Sequence, residues 1–381
     1  MSLFEGEVGV RHMPKSITLQ GPPAPLQAGA RRPDVTVGRV GMTTPVFLAA
    51  CRRQPVPFTP VWFMRQAGRS LPEYQARRGP GSILDAVRRP DLAAELTLQP
   101  VHRYGVDAAI LFSDIVVPVV DFGVDVAPGT GPVVEKPFRE LADLDRLRVV
   151  PSPCTEQTVR ILTRELTVPL IGFAGGPFTL ASYLVEGGPS KSFELAKTLM
   201  WSEPELWAAL VDRLADIAIA SLAGQVQAGA AALQIFESWA GALSAAAYRR
   251  HVLPALRRIL DGTAGLGVPR IVFGVCTGEL LGLFSQAGAD VVGVDWRVPL
   301  DVARTRAGPA TALQGNLDPA ACLAPWDELA DQARAVLAAA GPVGHVFNLG
   351  HGVLPATDPV QLERLVDLVH SEARQDGTAG R

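Results

Sequence analysis

Two arginines, Arg65 and Arg69, follow a short apolar run and suggest the clearest chemistry in this 381-residue chain. A guanidinium group is a planar fork that binds carboxylate or phosphate through two hydrogen bonds. Between the arginines, Ala67 and Gly68 are small enough for backbone N–H groups to approach an anion as well. The spacing therefore predicts a loop that binds a polyanionic ligand. In an alternative that stays open, the arginines lie on the surface and pair with local acids such as Glu73.

Polar or small residues also follow the other apolar runs. Asp114 comes directly after one of them, where a partly desolvated carboxylate is unusual unless it has a function, although aspartate can also cap the next segment. His351 and Tyr183 are further candidates, with a loop histidine and a core aromatic as their alternatives. Asp295 favours a structural role that holds neighbouring loops. The other polar or aromatic residues after these runs include Ser113, Glu186, Glu237, Ser238, Trp239, Cys276, Thr277, Trp296, Asn316 and Asp318.

Apolar runs of β type alternate with helical stretches along most of the chain. Alternation of this kind predicts parallel strands joined by right-handed crossovers. Eight runs predict an α/β fold of the (β/α)8, TIM-type barrel class, whose strands deliver their following residues to one face. An open doubly wound sheet is the alternative, but no G-x-G-x-x-G sequence follows the first run. The runs are Val61–Met64, Ala108–Phe112, Leu170–Phe173, Leu233–Phe236, Ile271–Phe273, Val291–Val294, Ala312–Leu313 and Val346–Leu349.

The pattern divides the chain into three parts. Residues 1–41 are rich in Pro, Gly and Arg without a sustained period, which predicts a flexible N-terminal extension. Residues 42–375 form the predicted barrel, and residues 376–381 a disordered tail. An insertion at 121–153, punctuated by Pro and Gly, predicts a hairpin beside the barrel mouth. The helices predicted between strands include Pro90–Tyr104, Pro204–Gln227, Ala245–Leu260, Gly278–Ala287 and Asp327–Ala340.

Composition excludes several classes of function. A net charge of −3 argues against nucleic acid as a bulk partner. The sequence contains no run of about 18 apolar residues, so no membrane span is predicted, and the N-terminus does not resemble a secretory signal. The four cysteines form no C-x-x-C pair, so neither a zinc knuckle nor a disulfide framework is indicated, and a reducing cytoplasm fits best.

Eight short segments, in this order, match the signatures of one enzyme family. They are Pro60–Arg69 with Leu71–Tyr74, Glu95–Pro100, Phe112–Ile115, Gly175–Leu180, Ser182–Gly188, Gly293–Trp296, Leu313–Pro319 and Asn348–Gly352. On these segments the chain resembles the uroporphyrinogen decarboxylase family of haem and chlorophyll biosynthesis. The resemblance extends from about residue 44 to about residue 369.

The resemblance implies a (β/α)8 barrel that forms a homodimer and needs no metal or organic cofactor. The implied reaction removes CO2 from the four acetate arms of the small molecule uroporphyrinogen III and yields coproporphyrinogen III. Asp114 would stabilise a protonated pyrrole intermediate, and Arg65 and Tyr183 are candidate proton donors, with water as a further possibility. The implied substrate-binding residues are Arg65, Gln66, Ala67, Gly68, Arg69, Arg78, Asp114, Tyr183, Ser238 and His351.

Two other functions are compatible with the same scaffold. Corrinoid methyltransferases use zinc bound by a His-x-Cys pair and a later Cys, but Gly274 occupies the histidine position before Cys276. A tetrapyrrole carrier without catalytic activity would need the arginines but not Asp114. The presence of Asp114 therefore favours catalysis.

Overall fold

The computed structural model describes residues 44–120, 124–127 and 131–375. The predicted N-terminal extension and C-terminal tail lie outside the described residues. Those residues belong to one compact unit that begins at Thr44. Across them, no helix combines the length and apolar character needed to cross a bilayer.

A parallel sheet forms the centre of the fold, as the alternating pattern predicts. Seven strands pair in the order β1-β4-β5-β6-β7-β8-β9, so each strand lies beside the next parallel strand along the chain. The strands are β1 Ala109–Ile110, β4 Leu170–Gly175, β5 Ala232–Phe236, β6 Arg270–Phe273, β7 Val291–Gly293, β8 Ala312–Gln314 and β9 His345–Val346; an antiparallel pair is formed by β2 Val124–Ala127 and β3 Gly131–Val134.

The segment around Val61 connects the two edges of this sheet. Val61 forms a parallel bridge with Phe347, and the N–H of Phe347 donates to the carbonyl of Pro60 at 2.8 Å. On the other side, the carbonyl of Val61 accepts a hydrogen bond from the N–H of Asp107 at 2.8 Å. The parallel segments therefore form a closed ring of eight, and the barrel class predicted from the sequence is confirmed.

The first predicted strand, Val61–Met64, is nevertheless not a regular strand. The N–H groups of Phe63 and Met64 donate to side-chain oxygens of Gln66 and Asn348, each at 3.1 Å. Side chains thus take the place of a neighbouring strand as hydrogen-bond partners. The sequence pattern could not reveal this, because the same apolar residues suit either arrangement.

Helices surround the strands. They are α1 Val46–Cys51, α2 Pro72–Arg78, α3 Ile83–Val87, α4 Pro90–Tyr104, α5 Val117–Val120, α6 Pro153–Glu165, α7 Pro177–Glu186, α8 Glu194–Ser202, α9 Pro204–Ala228, α10 Ala245–His251, α11 Leu253–Ala264, α12 Leu281–Gln286, α13 Leu300–Ala307, α14 Trp326–Ala340 and α15 Pro359–Gln375. The helix predicted over residues 245–260 is divided in two, because Pro254 lacks an N–H and its ring would clash with the carbonyl of Arg250.

The insertion contains the hairpin β2–β3, with Val124 opposite Val134. The N–H of Val134 donates to the carbonyl of Gly187 at 2.9 Å, and the N–H of Phe138 donates to that of Leu184 at 3.0 Å. The hairpin is therefore attached to the C-terminal end of α7.

Side chains fill the interior of the ring. The indole N–H of Trp62 donates to Gln314 at 3.0 Å, and the amide of Gln314 donates to Gln234 at 2.9 Å. All three residues are buried, and buried polar groups need such partners. The barrel is a packed core, so ligands must bind at an end of it.

Candidate active site

Arg65 lies at the carboxyl end of the strands in an uncommon backbone conformation. Its φ angle is 59°, in the left-handed region that costs most L-residues about 1 kcal/mol or more. A Cβ atom at Gly352 would overlap the Cδ of Arg65, so the arginine side chain passes directly over this glycine. The loop after Asn348 therefore supports Arg65 only because it has no side chain at residue 352.

Asp114 follows β1 and is half-buried. Its Oδ1 accepts a hydrogen bond from the N–H of Val116 at 3.0 Å, and no described side chain donates to its Oδ2. Burial raises the pKa of this carboxyl, while the Val116 N–H and the positive charge of Arg65 act in the opposite direction. The site thus holds an acidic group beside Arg65, with one oxygen available to a ligand.

Tyr183 lies on α7 close to these two residues. Burial raises the pKa of its hydroxyl to about 12; the charge of Asp114 adds to this effect and Arg65 opposes it. The hydroxyl is therefore protonated at neutral pH and can donate a hydrogen bond. One face of the ring contacts Trp239, with ring centroids 4.0 Å apart.

His351 completes this group. Burial, together with the charges of Arg65 and Arg297, lowers its pKa to about 4, against the effect of Asp295. Its Nδ1 accepts a hydrogen bond from the N–H of Gly352 at 2.6 Å. The ring is thus neutral at pH 7, with its proton on Nε2, where it can serve as a donor.

The other loop residues are placed differently. The side chain of Gln66 is buried and holds the backbone: it accepts from the N–H of Phe63 at 3.1 Å and donates to the carbonyl of Ala108 at 3.4 Å. Ala67 and Gly68 are half-buried, and the carbonyl of Gly68 accepts from the N–H of Leu71 at 3.0 Å. Gln66 can therefore contact a ligand only through its main chain.

Arg69 and Arg78 face a cleft of about 430 Å³, which Tyr74, Gln75, Gly79 and Pro355 also line. Neither arginine forms an ion pair with a described carboxylate, nor does Arg65. Glu73, the acid that a surface role would use, pairs instead with Arg103 at 3.4 Å. The arginines are therefore not neutralised by the local acid, which favours the ligand-binding interpretation of the loop.

Ser238 is half-buried two residues after β5, and it precedes the Trp239 that contacts Tyr183. Asp295 is buried at the end of β7 and binds the N–H of Cys276 and both the N–H and the guanidinium of Arg297, the latter two at 3.1 and 2.9 Å. This arrangement agrees with the structural role that the sequence favours for Asp295.

Sequence reasoning overlooked Arg297. Its guanidinium lies 3.8 Å from the ring centroid of Trp296, and its charge reaches His351. The signal that could have identified it is its position two residues after Asp295, at a strand end. Arg297 adds a further cation to this face of the barrel, although Asp295 balances its charge.

Phe236 lies in a row of rings at the strand ends, where its centroid lies 5.3 Å from that of Phe173 and 6.2 Å from that of Phe273. The ring of Phe273 lies 6.5 Å from His351. Phe236 is partly exposed, so the row provides an apolar surface beside the polar group.

A larger cleft, of about 900 Å³, lies among α9, α10 and α11 on the outside of the barrel. Two of its lining residues, Arg258 and Asp216, already pair with each other at 2.7 Å. It contains none of the residues that follow the strands. Active sites of this fold lie at the carboxyl ends of the strands, so the smaller cleft and the group around Asp114 are the better candidates.

The described side chains offer no cluster of metal ligands. Within residues 44–120, 124–127 and 131–375, no group of three or more His, Cys, Asp and Glu side chains could hold a metal ion. The glycine at 274 and the isolated Cys276 therefore do not provide the ligand set that a zinc-thiol methyltransferase needs.

Comparison with known proteins covers almost the whole described chain. The profile of the family described as uroporphyrinogen decarboxylase (URO-D) matches residues 42–372. A uroporphyrinogen decarboxylase from Streptomyces coelicolor is 61% identical over 333 residues, which are 86% of this chain and 94% of the relative. A uroporphyrinogen decarboxylase from Thermobifida fusca is 59% identical over 344 residues, 88% of this chain and 95% of the relative.

Solved structures of more distant proteins share the fold. A methyltransferase from Methanosarcina mazei has a TM-score of 0.69 and 20% identity, and the match covers 87% of this chain and 97% of the other. A B12-independent methionine synthase from Shewanella sp. W3-18-1 has a TM-score of 0.55 and 16% identity, over 79% and 92% of the two chains. At such identities the likeness concerns the fold alone.

Proposed function

This chain belongs to the uroporphyrinogen decarboxylase family and is a decarboxylase of tetrapyrrole biosynthesis, and we propose that the group around Asp114 carries out its reaction. The substrate is a small molecule, a macrocycle of four pyrroles with eight carboxylates. The net change at each acetate arm replaces a carboxylate by a proton, so the arm becomes a methyl group and CO2 leaves.

The electrons of the broken bond need an acceptor. Protonation of a pyrrole ring carbon creates an iminium-like cation, and the C–C bond to the carboxylate can then break with its electron pair moving into the ring. A second proton adds to the exocyclic methylene, and the ring loses the first proton. The site must therefore bind carboxylates, deliver protons and stabilise a cation.

The observation that carries the proposal is the environment of Asp114. Oδ1 accepts a hydrogen bond from the Val116 N–H at 3.0 Å; the N–H of Ile115 also acts on the carboxylate, but no described side chain donates to Oδ2. An ionised carboxylate only accepts hydrogen bonds and pyrrole N–H groups only donate them, so the free oxygen matches the substrate. A fixed negative charge in a partly dry site stabilises the developing cation without reorganisation.

Tyr183 and Arg65 are the proposed proton donors near this carboxylate. The raised pKa of Tyr183, about 12, keeps its proton in place until a stronger base forms, as the electron-rich ring does after CO2 leaves. Neutral His351 presents its Nε2–H to a carboxylate or carbonyl oxygen of the substrate. Backbone groups of the Gln66–Gly68 segment and the hydroxyl of Ser238 are proposed to complete the substrate contacts.

The cleft with Arg69 and Arg78 is proposed to bind peripheral carboxylates. Neither guanidinium is neutralised by a described acid, so each can form two hydrogen bonds to an incoming carboxylate. The family resemblance also leads us to propose a homodimer in the cytoplasm. Sedimentation velocity over a range of protein concentrations tests the dimer.

The test of function is an anaerobic incubation of the purified protein with uroporphyrinogen III, in buffer with a chelator. Chromatography of the oxidised porphyrins is expected to show stepwise loss of four carboxyls, ending at coproporphyrin. A folded protein that binds uroporphyrinogen but leaves it unchanged would identify a carrier. Activity that needs added zinc and a thiol would favour the methyltransferase alternative.

A further inference from the structure

We infer that Glu237 and Thr179 are positioning residues for Tyr183, because together they hold Trp239 against the tyrosine ring. Of the three residues, Trp239 alone contacts the group around Asp114, through the ring of Tyr183. This inference rests on the proposed function of Tyr183. It concerns how the tyrosine is held and not what it donates to.

Glu237 joins the end of β5 to the start of α7. It is fully buried. Its Oε1 accepts from the N–H of Phe178 at 3.0 Å, and its Oε2 accepts from the N–H and the hydroxyl of Thr179 at 3.2 and 3.0 Å. The first N–H groups of a helix have no partner within the helix, and a carboxylate there is favoured by the helix dipole. The carboxylate thus sets the position of α7, which carries Tyr183.

Thr179 connects Glu237 to Trp239 through hydrogen bonds. Its hydroxyl donates to Glu237 and accepts a hydrogen bond from the backbone N–H of Trp239 at 3.3 Å. Thr179 and Tyr183 are four residues apart and so lie on the same face of α7. The indole of Trp239 lies between two rings, with its centroid 4.0 Å from Tyr183 and 4.9 Å from Phe193.

The carboxylate has little room to move. A Cβ atom at Gly176 would overlap the Cγ and Cδ of Glu237. The main chain at Trp239, from which the indole reaches the tyrosine ring, is therefore held by one buried carboxylate and one hydroxyl.

The charge of Glu237 makes this arrangement sensitive to pH. Burial raises its pKa to about 7, and the contacts from Phe178, Thr179 and Tyr248 act against that increase. Tyr248, on α10, is the titratable group that faces it; burial and the charge of Glu237 raise the pKa of Tyr248 well above its usual value. Protonation of Glu237 removes the charge that binds Thr179, so kcat is expected to fall below about pH 7.

A double-mutant cycle tests the inference. Thr179→Val keeps the shape of the side chain but removes the hydroxyl, and Thr179→Ser is the matched control that keeps it. We expect T179V to lower kcat about tenfold with KM within twofold, and T179S to restore the rate. In the Tyr183→Phe background, T179V should cause no further loss. An equal loss in both backgrounds would overturn the inference.

Three further variants keep the test decisive. Glu237→Gln removes the charge and should leave kcat low and independent of pH between 6 and 8, whereas wild type varies. If T179V does not fold, Trp239→Ala and Trp239→Phe enter the same cycle, with the phenylalanine variant expected to retain most activity. Calorimetric Tm values establish that each variant is folded.

The outcomes separate this inference from the proposed function. Wild-type protein that does not decarboxylate uroporphyrinogen contradicts the function itself. Active wild type with an additive cycle contradicts only the role of Glu237 and Thr179. A Y183F variant with the wild-type rate removes the role of Tyr183 and the inference with it.

Discussion

Asp114→Asn is the most informative single change in the site. Asparagine has nearly the same shape, and its carbonyl oxygen can keep the hydrogen bond from Val116. The change therefore removes the negative charge and replaces the free acceptor oxygen by an NH2 donor that opposes a pyrrole N–H. The fold should survive, and the effect should concentrate on the step in which positive charge develops.

The lost charge and the lost acceptor oxygen set the size of the effect. A unit charge about 4 Å from a cation contributes about 4 kcal/mol at an effective dielectric constant of 20. Loss of one preorganised hydrogen-bonding group from an active site costs roughly 2.7–4 kcal/mol, or about 100- to 1,000-fold in kcat. We therefore expect D114N to lose at least about 100-fold in the rate of the first decarboxylation.

The assay is a single-turnover anaerobic reaction with uroporphyrinogen III, stopped by oxidation and analysed by chromatography. Asp216→Asn is the control, because Asp216 is a partly exposed carboxylate paired with Arg258 on the outer helices, and such pairs contribute about 0–1 kcal/mol. A folded D114N variant within threefold of wild type would refute the reasoning.

The same variant offers a readout that does not depend on activity. The charge of Asp114 contributes to the raised pKa of Tyr183. Loss of that charge should lower the tyrosine pKa, which can be followed by ultraviolet absorbance against a Y183F reference. An unchanged titration would mean that the two groups do not interact in solution.

Three further predictions concern other parts of the molecule. Arg69→Lys should raise KM with little change in kcat, because an ammonium group loses the two-pronged geometry; an unchanged KM in steady-state kinetics would remove its anchoring role. Gly352→Ala should lower kcat/KM at least tenfold while Tm changes little, because the new methyl group overlaps Arg65. The reference variant is Gly79→Ala, on the loop after α2, where the methyl group has open space. Because Gly79 has a positive φ, this variant serves only as a reference for stability. Burial lowers the pKa of His345 to about 4, so the folded protein keeps this histidine neutral. The free energy of unfolding should therefore fall by about 3 kcal/mol as pH falls from 6.5 towards 4. Urea unfolding at several pH values should show a smaller loss of stability at acid pH in His345→Gln than in wild type.

Local patterns were sufficient for much of the fold. The helix predicted at Pro90–Tyr104 has those bounds in the structure, because Pro90 suits a first helical turn and Gly105 adopts the left-handed conformation that ends a helix. The strand runs were recognisable because parallel strands are covered on both faces and read as continuous apolar segments. The prediction of one helix over residues 245–260 was wrong, because Pro254 interrupts it.

The direction in which individual side chains point could not be predicted from the sequence. Gln66 and Arg65 are neighbours in one motif, yet the structure buries the glutamine against Phe63 and Ala108 and leaves the arginine exposed. The positive φ of Arg65 turns the chain at that point. No periodicity predicts such a turn, and the glycine over which this arginine passes, Gly352, lies 287 residues further along the chain.

The sequence by itself determined the residue types, the order of strands and helices, and the family, because these depend on local propensity, on spacing and on motifs that can be read in a line. Only the tertiary structure decided which of those residues lie close together. It grouped Arg65, Asp114, Tyr183 and His351, placed Arg69 and Arg78 in an adjoining cleft, and connected Glu237 to Trp239 through one hydroxyl. The physical reason is that burial and electrostatic coupling depend on distance in space, which closure of the barrel sets between segments far apart in the chain.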